Sequence, residues 1–285
     1  MPSRKTRALI AQQTVEILTF GEYQTPNGVV VRIADQLEAA VRDTILYTPA
    51  SLDRLISTIQ FSNTRYSQNT TFQVVNATTF ETARHFALEQ NILHPLCLNF
   101  ASAKNAGGGF LNGSQAQEES LARASGLYAC INPVRGYYDS NRNCGTCLYT
   151  HHMIYSPKVP VFRNDDDDLL PEPYLTSIIT APAVNAGAIR RNETKKLDQI
   201  EATMLERIER VLAVAVTHGH DAMILGAWGC GVFRNDPANI AKWFHHFLVE
   251  DDRFRNVFRT VIFAVLDHSD ALGTISPFVN QFATS

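Results

Sequence analysis

Glu118 and Glu119 stand side by side after Gln117, separated by residues 110–116 from the run Gly107-Gly108-Gly109. Neighbouring carboxylates beside a glycine-rich loop suit acid–base work on a glycosidic bond. Glycines let the backbone approach a ligand closely, and a carboxyl group can give up a proton and take one back. Adjacent residues of a helix project about 100° apart. One glutamate therefore faces a ligand squarely, while the other orients it or hydrogen-bonds to it. Two forces oppose each other here: a helix N-terminus favours the ionised carboxylate, whereas burial beside an anionic diphosphate favours the protonated one. The alternative is a solvent-facing pair that merely complements the helix dipole.

A second glycine cluster spans Gly226, Gly229 and Gly231, running through Cys230, Val232 and Phe233 to Asp236-Pro237. Successive amides ahead of a helix N-terminus form nests for a phosphate or diphosphate. Two such loops at the carboxyl ends of strands indicate a nucleotide pocket. Neither nucleotide-binding fingerprint is present. No G-x-x-x-x-G-K-[ST] run occurs, and Gly113 follows the first glycine run one residue too late for G-x-G-x-x-G.

Other chemistries are weaker. Cys144-x-x-Cys147 with His151-His152 is half of a zinc pattern that lacks a second ligand pair. Cys230 has no identifiable His–Asp pair to activate it, so it reads as a small side chain in a tight loop. Asp165–Asp168 reads as a solvated loop. Trp228 is either a stacking surface or core, and Trp243 is core. No metal and no cofactor is expected.

The elements that must hold these loops follow from patterning. The chain has 285 residues, 45% hydrophobic and 19% charged, which is globular composition. Leu9, Ile10, Ile17 and Leu18 lie near helical spacing, and a second helix follows TPASLDRLISTIQ. NGVVVRI between them is a short strand after an Asn-Gly turn, so residues 1–65 read as a mainly helical N-terminal extension or cap. Residues 66–285 alternate strand and helix: strands at Phe72–Val75, Leu96–Phe100, Thr176–Thr180, Ala222–Leu225 and Val261–Leu266. A capping box at Thr78–Glu81 opens a helix to about Gln90, and others run from Gln115 to Cys130, Lys195 to Thr217, and Pro237 to Phe247. The fold class is α/β.

Charge and cysteines bound the partners. Lys and Arg number 25 against 28 Asp and Glu, a net charge of −3, so direct binding of duplex DNA is not expected. An odd number of cysteines, five, fits a reducing, intracellular compartment, cytoplasmic or nuclear. The longest apolar runs are too short to span a membrane, and no secretion signal is visible at the start.

Gly107-Gly108-Gly109, then Phe110–Ala116, then Gln117-Glu118-Glu119 resembles the G-G-G-x(6–8)-Q-E-E signature of poly(ADP-ribose) glycohydrolases. NFASAKNAGGGFLNGSQAQEESLARASGLY, YTHHMIYSPKVPVFR, ITAPAVNAGA and LGAWGCGVFRNDP are similar to the compact, bacterial-type branch, over about Thr71 to Asp267. The resemblance implies a macrodomain-like three-layer α/β/α core with a mixed central sheet. It makes Glu119 the general acid/base that protonates the departing ribose oxygen and deprotonates water, through an oxocarbenium-like transition state. Glu118 would hold the terminal ribose. Gly107, Gly108, Gly109 and Phe110, with Gly229, Cys230, Gly231, Val232 and Phe233, would grip the diphosphate by their backbone, and Gln117 would complete the substrate-binding set. Asn105 or Ser102 would contact the ribose, and His151 stands where an acidic residue is expected. The N-terminal extension would favour cleavage at the terminus of poly(ADP-ribose), releasing ADP-ribose from ADP-ribosylated proteins. A non-catalytic ADP-ribose-binding macrodomain, or a hydrolase of mono-ADP-ribosylated targets, would share the pocket.

Overall fold

A computed structural model describes residues 2–59, 69–89 and 95–282. In chain order these form α1 (Arg4–Phe20), β1 (Glu22–Gln24), β2 (Val30–Arg32), α2 (Ala34–Arg42), β3 (Ile45–Tyr47) and α3 (Pro49–Thr58). Then come β4 (Thr71–Val75), α4 (Thr79–Glu89), β5 (Leu96–Phe100), α5 (Gln117–Ala124), α6 (Leu127–Ile131) and α7 (Arg135–Asn143). The rest comprises β6 (Met153–Arg163), β7 (Leu169–Ala181), α8 (Ala186–Asn192), α9 (Gln199–Thr217), β8 (Ala222–Leu225), α10 (Pro237–His245), β9 (Thr260–Ala264) and α11 (Ser276–Phe282). The expected end of α4 at Gln90 and the boundary at residue 65 lie outside the described residues.

Seven strands make one mixed sheet in the order β3-β6-β7-β5-β8-β9-β4. The β3, β6 and β7 pairings are antiparallel, and β7, β5, β8, β9 and β4 run parallel. Side chains of a strand alternate between its faces, and here each face has its own core. Leu96, Leu98, Met223, Leu225, Val261 and Phe263 pack with α9, α10 and α11. Cys97, Ile224 and Ile262 point the other way, among Phe80, Phe86, Leu121, Leu127 and Tyr137. This is the three-layer α/β/α arrangement expected from the sequence, with a mixed central sheet.

The N-terminal segment is more than helices. After the β1–β2 hairpin, β3 pairs with β6 and becomes an edge of the main sheet. Thr48 and Ser51 form a capping box for α3. Helix α1 packs on the segment that follows the first glycine run: Arg4 Nε donates to the Asn112 carbonyl at 3.0 Å, and Arg7 Nε to that of Gly113 at 2.9 Å.

Three expectations change. The single helix from Gln115 to Cys130 is two, because Ser125 is extended (φ −148°, ψ 177°) and bridges to Val161. Gly126 then donates its amide to the Pro160 carbonyl at 2.9 Å, and a methyl there would lie 2.8 Å from Leu37. The helix expected from Lys195 starts later, α9 beginning at Gln199, and Leu197 ahead of it is exposed. Within Asp165–Asp168, Asp167 is half-buried against Arg123 at 3.5 Å rather than solvated.

Gly113 shows how tightly α1 and the loop meet. It adopts φ +70°, and a side chain would strike the Arg4 carbonyl. Gly113→Ala should cost about 1–3 kcal/mol. A urea titration that shows no loss would contradict this packing.

Candidate active site

Strands β5 and β8 are neighbours and parallel, so the loops after them emerge side by side at one edge of the sheet, as ligand sites do in α/β folds. They border a cleft of 780 Å³. Its wall includes Ser102, Asn105, Gly108, Gly109, Gln117, Glu118 and Glu119 from the β5–α5 side, and Gly229, Gly231, Val232 and Phe233 from the β8–α10 side. Gly107, Phe110 and Cys230 stand behind this surface: Phe110 is fully buried against Ala11 and Ala122.

The two glutamates separate as their helical spacing requires. Glu118 turns inward and is 3% exposed. Its Oε2 accepts from the Ser102 amide at 2.7 Å, and its Oε1 faces Asn99 Nδ2 at 3.4 Å. Burial pushes its carboxyl up to about 8, against the downward pull of these donors, with Glu119 adding to the rise. Glu119 is half-buried and accepts from the Gly109 amide at 3.0 Å. Glycine is required above them: a methyl on Gly108, at φ +60°, would intrude on both carboxylates and come within 3.1 Å of Glu118 Oε2.

Gln117 frames the site. Its Oε1 accepts from the Phe100 amide at 2.8 Å, and its Nε2 donates to Leu98 O at 2.8 Å and Thr79 Oγ1 at 3.0 Å. The first turn of α5 is thereby tied to the end of β5, and the side-chain amide is committed to protein partners.

The two loops divide the labour unequally. In the first, the amides of Gly108 and Phe110 already bond to the carbonyls of Asn105 and Gly107, and that of Gly109 bonds to Glu119. The amides of Gly108, Gly109 and Phe110 are thus engaged within the chain, and this loop holds the carboxylates. In the second loop, the amides of Gly231, Val232 and Phe233 have no hydrogen-bond partner among the described residues. Val232 is 82% exposed. Gly229 takes φ +74° against Asn235, whose Nδ2 donates to the carbonyls of Val184 at 2.9 Å and Gly229 at 3.2 Å.

Several supporting residues carried no motif. Arg207, fully buried on α9, donates to the carbonyls of Pro182, Leu148, Tyr149 and Thr150 at 2.9–3.3 Å. It fixes Tyr149 at φ +59°, with its ring 6.0 Å from that of Phe233. The signal was a charge placed on the apolar face marked by Met204, Ile208 and Val211. Tyr128 on α6, Asn132 just after it, and Arg135, Tyr138 and Arg142 on α7 also line the cleft.

The remaining sequence candidates are dispersed. Cys144 Sγ donates to the carbonyls of Asn141 and Thr146 at 3.2 Å. His151 Nε2 lies 3.1 Å from Glu206, and burial holds the ring down to about 3, so it contacts Glu206 as a neutral imidazole. His152 contacts Thr150 at 2.8 Å. No group of three or more His, Cys, Asp or Glu able to hold a metal forms among the described residues. Burial pushes the Cys230 thiol up to about 12, so it is not a thiolate nucleophile. Trp228 is core, its Nε1 donating to the Ala181 carbonyl at 3.2 Å. Trp243 is core as well.

Two measurements check this geometry. Gly108→Ala should lower turnover of the glycosidic substrate at least about 100-fold by displacing both carboxylates. Wild-type turnover in that variant would show that the crowding is unimportant. Glu118 ionises near 4.5 when unfolded and near 8 when folded. The folded state therefore binds the extra proton between those values, and stability falls as pH rises from about 4.5 to about 8. Glu118→Gln should flatten that slope in denaturant titrations across the same window, and an unchanged slope would count against the assignment.

The family model described as microbial-type PARG, catalytic domain, matches residues 11–164. No curated protein matches the chain. Among solved structures, poly(ADP-ribose) glycohydrolase from Thermomonospora curvata is 42% identical, with a TM-score of 0.92 over 98% of this chain and 100% of that one. The same enzyme bound to the inhibitor ADP-HPD gives a TM-score of 0.90 at 42% identity over 98% and 100%. The poly(ADP-ribose) glycohydrolase of Deinococcus radiodurans in complex with ADP-ribose gives 0.80 at 42% identity over 87% of this chain and 97% of that one. The family model over residues 11–164 and the solved structures at 42% identity show that the chain belongs to the microbial-type poly(ADP-ribose) glycohydrolases.

Proposed function

We propose that the chain hydrolyses ribose–ribose O-glycosidic bonds of poly(ADP-ribose), mainly from the terminus, and releases ADP-ribose. The observation that carries this reading is the Glu119 carboxylate, held on the Gly109 amide at 3.0 Å in the wall of a cleft whose opposite side offers unpaired amides. The diphosphate lies against Gly231, Val232 and Phe233, with Gly108 and Gly109 as the close wall opposite. Phe233, backed by Tyr149, packs beside the reacting ribose, and Ser102 or Asn105 contacts a ribose hydroxyl.

Glu119 protonates the oxygen of the departing ribose as the bond breaks toward an oxocarbenium-like transition state, then takes a proton from the incoming water. Glu118 holds the terminal ribose and fixes the geometry. No second, well-separated carboxylate is required, so positioning and electrostatics supply much of the rate. A non-catalytic ADP-ribose reader would need the pocket but not Glu119.

Residues 1–65 serve as the cap. Described residues 2–59 do not themselves line the cleft. Instead Arg4 and Arg7 hold Asn112 and Gly113, which stiffens the part of the cleft wall that Leu111 and Asn112 form. A fixed wall on this side restricts how the polymer enters and favours terminal units over internal ones. Arg135 and Arg142 line the cleft too and bring it positive charge suited to the phosphates of the polymer. The partners are poly(ADP-ribose) on modified proteins and ADP-ribose as product. The described cysteines are all free, in keeping with a reducing intracellular setting. No helix among the described residues is long and apolar enough to cross a membrane.

Glu119→Gln should reduce release of ADP-ribose from automodified polymer by about 100- to 10,000-fold while retaining ADP-ribose binding in calorimetry. The native product should be mostly monomeric. Native protein that binds ADP-ribose yet releases none would make this a reader, and mainly oligomeric product would remove the terminal preference.

A further inference from the structure

Glu118 and Glu119 crowd the same face of Gly108, where a single methyl would meet oxygens of both. Glu118 is enclosed, and no Lys, Arg or His forms an ion pair with it among the described residues. The groups facing it are Glu119 on its own helix, Asn99 on β5, and the Ser102 and Gly107 amides after it; the hydroxyls of Tyr137 and Tyr138 on α7 lie near enough to feel its charge. The nearby arginines 135 and 142 act on Tyr138. Two carboxylates that close, one of them dry and without a counter-cation, do not both ionise near neutral pH.

The hydrogen bonding around Glu118 says which oxygen carries the proton. Oε2 is claimed by the Ser102 amide at 2.7 Å, Oε1 has the long 3.4 Å approach of Asn99 Nδ2, and the Gly107 amide also draws on the carboxyl. Asn99 is fully buried, its Nδ2 also reaches Thr180 Oγ1 at 3.2 Å, and its Oδ1 has no partner. Turning the Asn99 amide over exchanges one unpaired atom for another. It also places the unused acceptor against Oε1, where a carboxylic acid O–H can donate to it.

We propose that Glu118 is the proton reservoir of the site: it rests as the neutral acid, donating from Oε1 to Asn99, and supplies the proton that Glu119 delivers to the departing ribose oxygen. This rests on the glycohydrolase reading above. In each turnover the pair starts with one proton. The proton leaves with the ribose hydroxyl as the glycosidic C–O bond breaks, and the water that forms the new C–O bond returns one to the pair. Asn99, which touches no reacting atom, is a positioning residue for the neutral form.

The test is infrared difference spectroscopy of the full chain without substrate, following the carbonyl stretch of a neutral carboxylic acid. At pH 7 the band should be present in the native protein and in Glu119→Gln, and absent in Glu118→Gln. It should fade as pH passes about 8, where burial places the Glu118 carboxyl. Asn99→Ala should move both the fading of the band and the alkaline limb of turnover to lower pH, a response that a structural role alone would not give. No band in the native protein, a band that survives Glu118→Gln, or an Asn99→Ala variant that shifts neither would overturn the proposal. Because the band is read without polymer, its failure is separate from failure of the activity itself.

Discussion

Two carboxylates and one glycine compete for a single small volume, and much of the active-site region exists to keep them there. Gly108 must lack a side chain and must take a left-handed φ. Glu118 must be dry and Glu119 must reach the Gly109 amide. Each requirement is met by a different element. Gln117 ties α5 to β5, Thr79 at the start of α4 receives the Gln117 amide, and α1 presses on the loop through Phe110, Ala11 and Ala122.

The same logic governs the other wall. Irregular backbone near a ligand leaves carbonyls with no secondary-structure partner, and buried polar groups left unpaired are costly. The protein answers with enclosed side chains that act as small scaffolds. Arg207 gathers the carbonyls of residues 148–150 and 182. Arg123 spans Ser114, Gln115 and Asp167, and Asn235 closes the second glycine loop. These residues touch no reacting atom, yet Arg207 and Asn235 set where Phe233 and the free amides sit, and Arg123 braces the approach to α5.

Much of this was legible in the sequence. The apolar strands β5 and β8, each followed by glycines and a helix start, mark both the sheet and the edge where ligands bind. The divergence of neighbouring glutamates follows from helical geometry alone. The β6–β7 hairpin was less visible, because Pro157, Pro160, Pro171 and Pro173 interrupt its pattern. The structure tolerates them at a bulge and in a stretch that pairs with one neighbour only. The engaged amides of the first loop were also hidden, since a glycine run looks alike whether it grips an anion or a carboxylate of its own chain. A polar Asn99 inside a buried strand and Arg207 on an apolar helical face were signals, but neither forms a recognisable motif.

The loops after β5 and β8 jointly line one cleft, and that cleft is the ligand site. Amide hydrogen exchange with and without saturating ADP-ribose tests this most directly. It should show new protection concentrated at residues 229–233 and around Gly108 and Gly109, with the β1–β2 hairpin unchanged. Protection centred instead on the 350 Å³ hollow between α1 and β1, near Phe20 and Tyr23, or confined to one loop, would contradict it.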